Sequence, residues 1–178
     1  MTAPSLDELL APGFVQGLRA IPLDDLRHRR AQAAEVEVGL SYARRVVQGR
    51  LDIVRAEFLR RELGQSSGDL PGLVERLPEI LGDRVHAPGN GRLPTLMAPN
   101  DADAHDVMGV DDLVDPSRLA DLSTLDADGL AGLDGELSNL EHEVSRNRKA
   151  VHEVIDRLQE ELVRRYKSGE ASVDKLLE

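Results

Sequence analysis

Proline leaves only two places in this chain where a long helix can form. The proline ring clashes with the preceding helical turn, and the residue has no backbone N–H to donate. Residues 23 to 70 and 117 to 178 are free of proline, whereas six of the nine prolines fall between residues 64 and 130. The spacing therefore predicts two long helices joined by an irregular connector.

The first long helix has clear start and stop signals. It should begin near Asp24 or Asp25, directly after a proline, because acidic residues are favoured in the first turn. It should end near Leu63, since Gly64 suits the left-handed position that follows a helix. Such a helix would be roughly 60 Å long at 1.5 Å per residue.

The second long helix has a less sharply defined start. Asp126 and Asp128 are both suitable N-caps, but three glycines between residues 129 and 135 each weaken a helix by up to about 1 kcal/mol. Its start is therefore placed between residues 126 and 135, and its end near Lys167.

The predicted starts and ends of the two helices indicate an all-α chain. It forms a long helical hairpin of the coiled-coil type, with an irregular, partly helical acidic connector. Short helices are expected within that connector at 72–82 and 117–121. The chain divides into an N-terminal segment with room for a short helix (1–22), the first long helix (23–63), the connector (64–130), the second long helix (131–168) and a C-terminal tail (169–178).

Charge is distributed unevenly between these segments. The whole chain has a net charge of -11, but the connector alone holds 13 acids against four bases. Residues 24 to 63 hold nine bases against seven acids. A direct nucleic-acid binder is disfavoured, because the basic residues share a helix with acids and lack the interleaved aromatic residues on which bases stack.

Composition excludes several other classes of protein. The chain has no Cys, so it cannot form disulfides, and the cytoplasm is the expected compartment. Neither a secretory leader nor an apolar run of about 20 residues is present, so we expect no membrane insertion. Four aromatic residues in 178 indicate thin helical packing rather than a large globular core.

The two predicted helices carry the same sequence pattern at an offset of 104 residues. Eight residues of the first copy recur in the second: Glu37, Ser41, Arg44, Val47, Asp52, Glu57, Arg60 and Arg61 match Glu141, Ser145, Arg148, Val151, Asp156, Glu161, Arg164 and Arg165. Apolar residues also align: Val36, Leu40, Val47, Leu51, Val54 and Phe58 with Leu140, Val144, Val151, Ile155, Leu158 and Leu162. The two helices are thus versions of one unit.

Each copy places five polar residues on one narrow face of its helix. At 100° per residue they fall within an arc of roughly 80°, beside an apolar stripe against which a partner helix would pack. The first stripe is Glu37, Ser41, Arg44, Gln48 and Asp52, and the second is Glu141, Ser145, Arg148, His152 and Asp156.

Two interpretations of the stripes remain open on periodicity alone. They are either solvated faces of a coiled coil, with weak contacts between neighbours three and four residues apart, or a ligand site. Solvation gives no reason to repeat Glu, Ser, Arg and Asp in the same order. Arg can donate two parallel hydrogen bonds to guanine or to phosphate, and Asp can accept from the guanine N1–H and N2–H groups. The repeated order of residues therefore favours a site that binds guanine and phosphate.

The first stripe resembles, at all five positions, the cyclic di-GMP binding motif of the actinobacterial RsiG anti-sigma factors. The second stripe matches at four positions and has His152 where the motif has Gln. The resemblance covers the two long helices. A neutral imidazole can still donate or accept one hydrogen bond, but it cannot reproduce the geometry of an amide.

The resemblance implies a fold, a ligand and a partner. The fold is a long antiparallel helical hairpin, although a connector of this length also allows parallel helices. The ligand is cyclic di-GMP, two molecules per chain, held by the ten stripe residues. The partner is a flagellar-type sigma factor, WhiG in spore-forming relatives, which the loaded protein sequesters so that its regulon, which serves sporulation, stays silent.

Two further function classes are set against this regulatory one. The function of a coiled-coil adaptor or homodimer without a small ligand would not change on loss of Arg44 or Asp52.

An enzyme is disfavoured, because the sequence shows no phosphate-binding loop, no metal-ligand cluster and no pair of nucleophile and base. The five histidines, at 28, 86, 105, 142 and 152, are scattered. We therefore expect no catalytic residue, no metal and no cofactor besides the regulatory ligand.

The acidic connector is either a solvated linker or a surface that docks on basic regions of the sigma factor. Docking predicts that deletion of residues 98–112, which carry five acids and no base, weakens sigma binding and reduces its dependence on salt. Affinity measured at several salt concentrations tests this. An unchanged affinity and an unchanged salt slope would contradict docking.

Overall fold

A computed structural model describes residues 4–64, 119 and 122–170 of the chain. In chain order it contains α1 (Leu6–Leu10), two 3₁₀ turns (Pro12–Phe14 and Leu18–Ala20), α2 (Leu23–Glu62), a third 3₁₀ turn (Leu122–Thr124) and α3 (Ala127–Ser168). No strand occurs in these ranges. The predicted all-α hairpin is confirmed. The short helix expected at 72–82, most of that expected at 117–121 and the tail from residue 171 onward lie outside the described residues.

Helix α2 follows the expected start and stop signals closely. Its N-cap is Pro22, whose φ of -56° already suits the helix that follows. It ends at Glu62, after which Gly64 adopts a φ of 65° and donates its N–H to the carbonyl of Arg61 at 3.0 Å. Any residue with a Cβ would be strained at that angle, which explains the glycine.

Helix α3 begins at Ala127, within the range predicted for its start and four residues before the segment boundary of 131. Asp126 is the N-cap, and its side chain accepts a hydrogen bond from the N–H of Gly129 at 2.8 Å. The cap, together with burial of Leu130 and Leu133 against the rest of the hairpin, outweighs the weak helix propensity of the glycines. The helix closes at Gly169, which has a φ of 76°.

The two long helices pack antiparallel along a shared apolar seam. Contacts run from Arg27–Tyr166 at one end, through Arg44–Glu141, to Arg55–Asp134 at the other, so that residue numbers rise on one helix as they fall on the other. All the apolar residues aligned by the repeat are buried, except that Phe58 is half-buried against them.

Among the described segments, no helix combines the length and apolar character needed to cross a bilayer.

The sequence repeat extends into the structure beyond the helices themselves. Helices α2 and α3 begin 104 residues apart, and so do the 3₁₀ turns Leu18–Ala20 and Leu122–Thr124 that precede them. Each half of the hairpin is therefore a 3₁₀ turn followed by a long helix. Because the helices are antiparallel, the two halves are related by an approximate two-fold axis perpendicular to the seam.

A repeated cluster of charged residues fastens each end of the hairpin. We call these clusters the end clamps: Glu57 with Arg60 and Arg61 on α2, and Glu161 with Arg164 and Arg165 on α3. Each clamp uses its second arginine to hold the turn that leads into the other helix. Arg61 Nη2 donates to the carbonyl of Leu122 at 2.8 Å, and Arg165 Nη2 donates to the carbonyl of Leu18 at 2.6 Å.

The end clamps predict a specific loss of stability in acid. Hydrogen bonds from Arg60 hold the pKa of Glu57 at about 2, against an ordinary 4.5, and those from Arg164 do the same for Glu161. Since both pKa values are lowered by folding, their contribution is complete above pH 4.5 and is lost as the pH falls towards 2. Urea unfolding followed by circular dichroism across this range measures it.

The double variant Glu57→Gln with Glu161→Gln should be less stable at pH 7 by about 1 to 3 kcal/mol, the range for hydrogen bonds to charged groups. It should also lose less stability than wild type between pH 4.5 and 2. Glu143→Gln with Glu153→Gln, both on the exposed face of α3, is the matched control. Equal acid sensitivity of the clamp variant and wild type would contradict the role given to the clamps.

Candidate functional site

The two polar stripes meet each other across the middle of the hairpin instead of facing solvent separately. Each glutamate and serine of one helix lies against the arginine of the other helix. The stripes thus form two clusters. We call half-site 1 the group Arg44, Gln48, Glu141 and Ser145, and half-site 2 the group Arg148, His152, Glu37 and Ser41.

Half-site 1 is organised by the carboxylate of Glu141. Its Oε1 accepts from Arg44 Nε at 3.0 Å, from Gln48 Nε2 at 3.0 Å and from Ser145 Oγ at 3.0 Å. Arg44 Nε also donates to Ser145 Oγ at 2.9 Å. Partial burial raises the pKa of Glu141, but the bonds from Arg44, Ser145 and Gln48 outweigh it, so the net pKa is lowered and the carboxylate stays charged.

Half-site 2 repeats this arrangement with the helices exchanged. Arg148 Nε donates to Glu37 Oε1 at 3.0 Å and to Ser41 Oγ at 2.8 Å, and Ser41 Oγ donates to Glu37 Oε1 at 2.6 Å. His152 Nε2 lies 3.3 Å from the same carboxylate oxygen, where half-site 1 has the amide of Gln48. The approximate two-fold axis therefore relates the two half-sites contact by contact.

Both arginines are held in a way that leaves their outer ends available. The bonds to Glu and Ser use Nε alone, and within the described residues no hydrogen bond from a terminal amino group of Arg44 or Arg148 is found. The Arg44 side chain is 37% exposed and that of Arg148 is 18% exposed. Each guanidinium is thus oriented by its neighbours while its two amino groups remain able to bind an anion or a base edge.

The spacing of the two arginines follows from the antiparallel register. Arg148 contacts Glu37, which precedes Arg44 by seven residues on α2. At 1.5 Å per residue, the two guanidinium groups are held roughly 10 Å apart along the hairpin. Two positive groups at this separation suit a ligand that carries two anionic groups.

The last residue of each stripe does not share the symmetry of the first four. Asp52 is buried, at 8% exposure, whereas Asp156 is exposed. Each lies one helical turn beyond the half-site on its own helix. The structure therefore brings together eight of the ten predicted site residues and places the two aspartates at the outer ends of the site.

The interpretation of the stripes as solvated coiled-coil faces does not describe this arrangement. Glu37 and Ser41 are buried, at 7% and 3% exposure, and are bonded to the opposite helix. The contact between Glu37 and Ser41, expected from their spacing, is present, but it is one part of an interhelical network. Sequence reasoning missed this pairing between copies, because a helical projection does not show which residues face each other across a seam.

Neither a metal centre nor a cleft near one end of the hairpin coincides with the half-sites. In the part of the chain that the structure describes, no group of His, Asp and Glu could hold a metal ion. A cleft of about 540 Å³ lies near one end of the hairpin, between the N-terminal segment and α3, and is lined by residues such as Arg19 and Arg157. The half-sites are instead partly buried polar clusters in which the two arginine side chains are 37% and 18% exposed.

Comparison with known proteins identifies a family. A family model described as RsiG-like matches residues 12–81 and 116–178, which include both long helices. The two matched segments begin 104 residues apart, the offset of the repeat. No curated protein sequence matches the chain significantly.

Proposed function

The chain belongs to the RsiG-like family of regulatory anti-sigma factors, and from this premise we propose that it binds cyclic di-GMP on its two half-sites. In the bound form it sequesters a flagellar-type sigma factor of the WhiG class. The observation that supports this most strongly is the pair of arginines whose Nε atoms are fixed by Glu and Ser and whose amino groups are left available.

The symmetry of the site suits the proposed ligand. Cyclic di-GMP carries two guanines and two phosphates related by a two-fold axis, and a pair of such molecules can keep that symmetry. The half-sites are related by an approximate two-fold axis of their own. A symmetric ligand can therefore make the same contacts with Arg44 as with Arg148.

Sigma capture is coupled to the ligand by linkage. The Arg44 and Arg148 side chains are partly exposed, so a ligand bound to them can contact a second protein at the same time. If the sigma factor binds the loaded surface more tightly than the empty one, cyclic di-GMP must bind the sigma complex more tightly by the same factor. High cyclic di-GMP then keeps the sigma factor captive, and a fall in the nucleotide releases it.

A second candidate function is a structural coiled coil without a small ligand. The observation in its favour is that Glu37 and Glu141 each pair with an arginine of the opposite helix, which gives the repeated polar residues a structural purpose. On this alternative, loss of the arginines destabilises the hairpin, and cyclic di-GMP has no effect on the protein or on its partners.

Titration calorimetry with cyclic di-GMP, cyclic di-AMP and GTP tests the ligand. We predict selective binding of cyclic di-GMP, with two molecules per chain. Adenine in cyclic di-AMP lacks the O6 acceptor and the N1–H and N2–H donors of guanine, and GTP has a single guanine and no two-fold symmetry. The double variant Arg44→Ala with Arg148→Ala should weaken binding about 30-fold or more, at about 1 to 3 kcal/mol for each arginine.

Arg146→Ala is the matched control for this titration. Arg146 is exposed on the same helix as Arg148, about 200° away around its axis, and should leave affinity unchanged. The titration is repeated with a WhiG-class sigma factor present, followed by size-exclusion chromatography. If cyclic di-GMP gives no heat with or without the sigma factor, the ligand assignment is wrong. If a complex forms equally with and without the nucleotide, the linkage is wrong.

A further inference from the structure

The two half-sites differ at one position in a way that changes their charge with pH. Gln48 in half-site 1 and His152 in half-site 2 occupy equivalent places, each beside the carboxylate oxygen that also accepts from an arginine. An amide does not titrate, whereas an unperturbed imidazole gains a proton near pH 6.5. One half-site is therefore fixed in charge and the other is not.

The charged groups around His152 come from both helices. Glu37 faces it from α2. On α3, Arg148 and Lys149 lie one turn before it and Asp156 lies one turn after it. Protonation of the imidazole adds one positive charge to this set of groups. The Gln48 amide at the equivalent place in half-site 1 carries no charge at any pH near neutrality.

Protonation also changes what the ring can bind. In the neutral form with its proton on Nε2, His152 presents a donor to Glu37 and an acceptor at Nδ1, as the Gln48 amide presents a donor to Glu141 and a carbonyl oxygen. The protonated ring has donors on both nitrogens and no acceptor. It therefore favours a phosphate oxygen at half-site 2 and disfavours a guanine N–H there.

We propose that His152 makes ligand binding at half-site 2 proton-coupled, so that affinity for a dianionic nucleotide rises as the pH falls through the imidazole range. This rests on the proposed function and adds to it a regulatory input that half-site 1 lacks. The ligand's phosphodiesters and guanines do not titrate between pH 5.5 and 8, so a proton taken up on binding in this range comes to the protein.

Titration calorimetry with cyclic di-GMP at pH 5.5, 6.5, 7.2 and 8 tests the proposal, with each titration repeated in two buffers of different ionisation enthalpy. The buffer pair reports the number of protons taken up. Wild type should bind about three- to tenfold more tightly at pH 5.5 than at pH 8, within the limit of about tenfold per pH unit that one proton allows. It should take up a fraction of a proton on binding within this pH range.

Three variants locate the effect. His152→Gln makes the two half-sites alike and should flatten the pH dependence and remove the proton uptake, while still binding at pH 8. Gln48→His places an imidazole in both half-sites and should steepen the dependence. His142→Gln is the matched control, since His142 is exposed and contacts the carbonyl of Ser138 on the same helix, outside both half-sites. It should behave as wild type.

The outcomes separate this proposal from the function on which it rests. Binding at all four pH values with the same slope in wild type and in His152→Gln would overturn the proton coupling and leave the ligand assignment standing. Absence of binding at every pH in wild type would overturn both.

Discussion

The interhelical pairing of Glu37 with Arg148 and of Glu141 with Arg44 is the interaction on which the rest of the hairpin depends. An apolar seam of Leu, Val and Ile can be satisfied in several registers, because one apolar side chain packs in place of another at modest cost. Loss of the partner of a buried or largely buried carboxylate costs more, since removing one member of such a pair leaves an uncompensated charge. These pairs therefore select one register, and that register sets where every other repeated residue lies.

The same pairs link structure to function. Each carboxylate holds an arginine by its Nε, which fixes the direction of the guanidinium and leaves its amino groups available. Ordering a long side chain before the ligand arrives removes part of the entropy cost of binding. The end clamps act away from the half-sites, at the two ends of the hairpin. There Arg61 and Arg165 bind the turns that lead into the opposite helices and keep the ends of the hairpin together.

Much of the fold was predictable because its signals are local. Proline spacing, the glycine at 64 and the caps before residue 127 are each read within a few residues, and the apolar stripes indicated the seam. Contacts across the seam were not predictable in this way. The repeat identified Glu161 and Arg165 without giving them a role, and nothing in the pattern indicated that Asp52 is buried while Asp156 is exposed. Such differences depend on what packs against each position, which a helical projection leaves out.

The central claim is that two matching half-sites, built across the helices, present paired arginines to a symmetric pair of cyclic di-GMP molecules. A crystal structure of the chain bound to cyclic di-GMP and its sigma factor tests it most directly. The account predicts that the terminal amino groups of Arg44 and Arg148 contact the nucleotide while both Nε atoms keep their bonds to Glu141 and Glu37. A nucleotide bound elsewhere, with both half-sites unoccupied, would contradict it.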